Sequence, residues 1–164
     1  MTRLDPPPGG ATPFDHRPDA WALFQRYYGT LWSHGVLDQP TKEVGRLRNA
    51  RMTGCGICKN LRFAGARESG LREAHVALID DDYADRELPR RWKIVIRYTD
   101  ALIQHPGRIG EELQRDLAAE FAPAEIVELT ATLTAAIAFS KAAVAFGAPP
   151  EMPVIEVPTP SCDD

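Results

Sequence analysis

Apolar residues that recur at three- and four-residue steps, no strand-like alternation of useful length, and prolines gathered near the two ends predict an all-α protein. The expected architecture is a single helical domain of about six to seven helices. Five of the fourteen prolines fall at or before Pro18 and five lie between Pro149 and Pro160; only Pro40, Pro89, Pro106 and Pro123 punctuate the middle. Proline fixes φ and lacks an N–H, so helix interiors avoid it while first turns accept it. Residues 1–17 therefore read as an irregular Pro-rich N-terminal arm, 18–148 as the helical domain and 149–164 as a Pro-rich C-terminal tail. A chain of 164 residues fits one domain with a sizeable core.

The helices follow in order. Trp21, Phe24, Tyr28 and Leu31 mark the first, after Pro18, and Val44, Leu47 and Ala50 form the stripe of a second from about Pro40 to Met52. A third is expected from near Cys55 to near Gly70, then a short one through Ala74, Leu78 and Ile79. Arg90 to Gln104 carries Trp92, Val95, Thr99, Leu102 and Ile103 in step. Leu113, Leu117 and Phe121 mark the next helix, with Glu111 and Glu112 in its first turn, where the helix dipole favours anions. Pro123 opens a last long helix ending at Gly147, with Ile126, Leu129, Leu133, Ile137 and Val144 in register. Its alanines lie on almost every side, so it should be buried on more than one face, and a homo-oligomer is expected.

Composition narrows the function classes. Ordinary apolar content (44%) and charge (26%) exclude a wholly disordered chain, and a net charge of −4 makes no general case for nucleic acid as partner. Three prolines and two glycines within the first ten residues break any secretory leader. The weakly polar stretch Ala135 to Gly147, interrupted by Ser140 and Lys141, is too short to span a bilayer, so no membrane partner is expected. Three cysteines are too few for a disulfide scaffold, and a reducing, cytoplasmic setting is expected.

The chemistry is concentrated in Thr53-Gly54-Cys55-Gly56-Ile57-Cys58-Lys59-Asn60. Two cysteines three apart at a helix start bring both sulfurs nearly onto one face, where a disulfide forms and breaks with little backbone movement. Thr53 is the expected N-cap, with Gly54 and Gly56 giving access to the sulfurs. From Lys42 to Arg72 there are eight basic side chains against two acidic, a net +6, leaving −10 for the remainder. Arg62 follows Cys58 by four residues, one helical turn, and is placed to hold a thiolate by charge. Zinc would need two more ligands, and neither His75 nor His105 has supporting spacing, so no metal is expected. Two cysteines packed in a core remain the bland alternative, and a solvated face that for the basic run. Cys162 reads as incidental. Glu43, twelve positions before Cys55, is either a surface residue pairing with Arg46 or a carboxylate brought near the sulfurs.

The residues Glu43, Arg46-Leu47-Arg48-Asn49-Ala50 and Thr53-Gly54-Cys55-Gly56-Ile57-Cys58 resemble the carboxymuconolactone decarboxylase-like superfamily, and within it the alkylhydroperoxidase D-like branch that carries the Cys-x-x-Cys pair. Phe121-Ala122-Pro123-Ala124-Glu125-Ile126-Val127-Glu128-Leu129 is similar to the opening of the family's final helix, and Ala148-Pro149-Pro150 to its close, so the resemblance covers roughly residues 20 to 150. It implies an all-helical fold, homotrimers or homohexamers, and thiol-dependent reduction of hydroperoxides, with a dithiol/disulfide and no other cofactor. It further implies that Cys58 is the peroxidatic thiol, that Cys55 resolves it as a disulfide, that Glu43 belongs to a proton relay, and that a dithiol protein or small thiol is the reductant. Arg62 stands where the family usually has histidine, and Ile57 where many members have histidine or tyrosine. Arginine stays protonated and cannot act as a base, but it can hold a thiolate or an anionic substrate. Two alternatives follow: a decarboxylase-like enzyme on an anionic organic substrate, which needs no dithiol, and a non-enzymatic thiol redox sensor.

Overall fold

The helix α2, Gln39–Thr53, is the axis of the molecule, and every residue from Pro40 to Ala50 is buried. The Asp38 side chain caps its start by accepting the Thr41 amide at 2.9 Å, Pro40 occupies the first turn, and Gly54 ends it in the left-handed region at φ 66°. The computed structural model describes residues 3–162. Around α2 are arranged α1 (Pro18–Ser33), α3 (Gly56–Asn60), β1 (Leu61–Phe63), α4 (Ala64–Glu68), α5 (Glu73–Ala77), α6 (Arg90–Gln104), α7 (Glu111–Glu120), α8 (Pro123–Phe146) and β2 (Ile155–Val157). Single 3-10 turns span Pro13–His16 and Tyr83–Asp85.

The core lies where α2 meets α6 and α8; α1 lies on α8, and α7 on α6. Leu47, Val95, Ile96, Leu129 and Leu133 are all essentially without solvent exposure. Gly45 sits at the crossing, where a Cβ would stand 2.7 Å from Leu133 Cδ2 and 3.0 Å from Val95 Cγ1. Its missing side chain lets α2 approach both neighbours at once.

Against that apolar packing, α2 itself is strongly polar. Lys42, Glu43, Arg46, Arg48 and Asn49 are all buried, and burial of charge is tolerated only with partners. Lys42 donates to the Leu31 carbonyl at 2.8 Å and to Glu128 at 3.1 Å. Arg48 pairs with Asp100 at 2.6 Å, and Asn49 donates to Ser140 at 3.0 Å.

Three expectations are corrected. The stretch from Cys55 to Gly70 is not one helix but α3, β1 and α4, because the tail supplies β2 as a parallel partner in the register Leu61–Ile155, Arg62–Glu156 and Phe63–Val157. Local periodicity carries no sign of a strand partner more than ninety residues away, so neither short strand is legible in it, and the tail is not irregular throughout. Thr53 is the last residue of α2 rather than a cap of the next helix; its hydroxyl donates to the Asn49 carbonyl at 2.8 Å. Finally, α8 has 24 residues with a mean hydropathy of 1.5 over an 18-residue window, so it is long and apolar enough to cross a membrane. In this fold one face of it packs into the core, with Leu129, Leu133, Ala135, Ala136 and Ala143 buried.

Candidate redox site

Gly54 turns the chain out of α2, and Cys55 becomes the N-cap of α3. Its amide still donates to the Ala50 carbonyl at 3.1 Å, and its sulfur accepts the Cys58 amide at 3.3 Å. The two sulfurs are joined as a disulfide across a Cα–Cα distance of 5.3 Å, which suits a dithiol pair cycling without backbone rearrangement.

The pair is covered. Cys55 is 0% and Cys58 3% exposed, in a cluster with Ala50 and Ala143, against which Ile57, Phe139, Val144 and Ala148 pack. Gly56, expected to open a path to the sulfurs, instead admits the tail: a Cβ there would collide with the main chain of Pro149 and Pro150. The end of α8 and the first residues of the tail thus form a cover over α3.

Glu43 and Arg46 do pair, as their i, i+3 spacing allows, but inside the protein rather than on its surface. The contact is bidentate: Arg46 Nε and Nη2 donate to the two carboxylate oxygens, each at 2.6 Å. Glu43 is fully buried, and its Oε1 also accepts the Phe63 amide at 3.3 Å. Arg46 continues to the dithiol, with Nη1 donating to the Cys58 carbonyl at 2.6 Å and Nη2 to the Leu61 carbonyl at 2.7 Å. Burial alone would lower the proton affinity of Arg46; the Glu43 carboxylate outweighs it and holds the guanidinium above its ordinary range. Tyr28 faces the same pair. Burial pushes its phenol up, opposed by Arg46 and reinforced by Glu43.

Arg62 is not one helical turn beyond Cys58, because α3 stops at Asn60 and Arg62 lies on β1. Its guanidinium bonds Glu73 at 2.9 and 3.1 Å and the carbonyls of Lys59 and Leu61 at 2.7 and 2.9 Å. Burial places it at 4% exposure, directed by these four bonds. The structure therefore brings Cys55, Cys58, Glu43 and Arg46 together, while Arg62 shares only the Leu61 carbonyl with Arg46 and has Glu73 as its carboxylate partner. The sequence reading places Arg46 in the basic segment, in the run that carries the resemblance and as a surface partner of Glu43, but not at the dithiol. The signal that could have placed the Glu43–Arg46 pair inside is a helix polar on every side, whose charged residues must find partners once it is buried.

An apolar cavity of about 580 Å³ adjoins the site, lined by Trp21, Phe24, Tyr28, Phe63 and Phe139 among others. Tyr28 and Phe63 border the Glu43–Arg46 pair, Arg46 standing 4.6 Å over the Phe63 ring, while Phe139 packs on the cysteines. Among the described residues no group of three or more His, Cys, Asp or Glu side chains is placed to hold a metal ion.

A crystal structure from Agrobacterium tumefaciens, of a protein of unknown function provisionally assigned to antioxidant defence as AhpD, superposes with a TM-score of 0.73 over 89% of this chain and 95% of that one. The chain has the AhpD-like fold. Sequence identity in that comparison is 20%, so the likeness is one of architecture. Two uncharacterized proteins from strains of Mycobacterium tuberculosis are each 32% identical over 140 residues, 85% of this chain. The AhpD-like chain spans about half, 49%, of the length of these curated relatives. No protein-family model matches it.

Proposed function

We propose that this protein is a thiol-dependent hydroperoxide reductase that cycles through the Cys55–Cys58 disulfide. The observation that carries this function is the dithiol pair itself, joined through Arg46 to a buried carboxylate within an AhpD-like fold. The Cys58 thiolate attacks the distal oxygen of a hydroperoxide; the O–O bond breaks, the alkoxide leaves and takes up a proton, and Cys58 becomes a sulfenic acid. The Cys55 thiol then displaces that oxygen as water and forms the disulfide. A dithiol reductant returns both thiols and is itself oxidised to a disulfide. Glu43 is the proposed member of the proton relay; Arg62, whose guanidinium is taken up by Glu73 and the carbonyls of Lys59 and Leu61, is not assigned to the thiolate. No cofactor beyond the dithiol takes part, the setting is reducing and cytoplasmic, and the working form is a homotrimer or homohexamer.

Peroxide consumption supported by a dithiol reductant is expected to vanish in Cys58→Ser. Equal rates in that variant and the unmodified protein would remove the function. The cover over α3 favours one second reading, a redox sensor whose assembly follows the disulfide state. It predicts a change of mass in light scattering between oxidised and reduced protein with negligible peroxide turnover.

A further inference from the structure

Two arginines of the basic segment stand near the dithiol, and their bonds separate their roles. Arg62 is bound by the Glu73 carboxylate, which is 48% exposed, and by the carbonyls of Lys59 and Leu61. Arg46 is as buried as Arg62, both at 4% exposure, but it is bidentate on a carboxylate with no exposure and bonded to the carbonyl of Cys58 itself. A guanidinium held in this way has a fixed orientation, and its field is little screened by water. The carbonyl it touches and the sulfur belong to one residue, so its charge acts on any charge that forms on that sulfur.

We propose that Arg46 is a positioning residue of this site, which ties the Glu43 carboxylate to the backbone of Cys58 and supports negative charge on that cysteine. The inference deepens the hydroperoxide-reductase function proposed above and rests on it for the identity of the oxidant; the charge support itself is measurable without peroxide. Glu43 is then the counterweight to Arg46. Its carboxylate orients the guanidinium and offsets part of the positive charge felt at Cys58. Removing one member of the pair should therefore have the opposite effect to removing the other.

The test is the pH profile of Cys58 alkylation by iodoacetamide in the reduced full-length protein, followed by mass spectrometry. Access to the sulfur scales the rate at every pH, whereas thiolate support moves the midpoint. Arg46→Met is expected to move the midpoint upward by about one pH unit, and Glu43→Gln to move it downward, with Arg46→Lys between Arg46→Met and the unmodified protein. Midpoints that stay in place, or that move in the same direction in Arg46→Met and Glu43→Gln, would overturn the proposal, because mere repacking has no such sign. Should Arg46→Met fail to fold by circular dichroism, Glu43→Gln decides: a downward shift supports the role, and an unmoved or upward midpoint overturns it. Opposite shifts in a protein that consumes no peroxide would retain the role of Arg46 and remove the peroxide function alone.

Discussion

At the scale of single residues, charge is placed by burial as much as by spacing. Glu43 and Arg46 are an ordinary i, i+3 pair in the sequence, and nothing local says that both lie inside. Arg62 carries the same charge as Arg46, yet it is assigned to Glu73 by a turn that only the folded chain makes. The Arg62 hydrogen bond holds the Glu73 carboxyl below its ordinary value of 4.5, against the opposing effect of burial. A carboxyl lowered in the folded state contributes stability that is present above its ordinary value and lost as pH falls through the lowered one. Glu73→Gln should therefore flatten the fall of the melting temperature below about pH 4. An unchanged acid slope in thermal unfolding would reject that contribution.

The element that matters most to the dithiol is one that periodicity does not mark. The tail returns as β2, pairs with β1 directly after α3, and is tied again where the Gly65 amide donates to Thr159 Oγ1 at 2.8 Å. Between Gly147, the left-handed end of α8 at φ 97°, and Ile155, the tail lies over Gly56. This segment is one part of the cover over the two sulfurs, and its opening is the expected route to them. Gly56→Ala places a Cβ against the main chain of Pro149 and Pro150, so the cover must shift. A loss of about 1.4 kcal/mol in closure raises the open population about tenfold, and dithiothreitol should reduce the Cys55–Cys58 disulfide faster by a similar factor. Thr159→Val should act in the same direction. Reduction at an unaltered rate in both variants would mean that the tail does not control access.

Over the whole molecule, the α2–α6–α8 contact supplies the apolar core, and the polar residues of the proposed site are embedded in it. Leu133 has no solvent exposure and touches the place left open by Gly45, so Leu133→Ala should cost about 2–5 kcal/mol in denaturant unfolding. A cost within surface values, about 0.5 kcal/mol, would contradict that placement. The outer surface still shows Leu23, Val36 and Val127, each about two-thirds exposed or more. The proposed homo-oligomer would cover part of it, and light scattering at micromolar concentration should return a multiple of 18.1 kDa. A monomer mass would count against assembly.

By itself the sequence determined the helical class, the long helices and the dithiol, since each depends on local spacing: apolar steps of three and four, proline at first turns, glycine at the end of α2, and two cysteines three apart. Tertiary structure alone decided which cation meets Cys58, why Glu43 is buried, where the third expected helix breaks, and what covers the sulfurs. Those outcomes depend on residues brought together from distant positions, Leu61 with Ile155 and Gly56 with Pro149. A buried ion pair and a covering segment exist only once the surrounding chain has excluded water from them, and no local period records that exclusion.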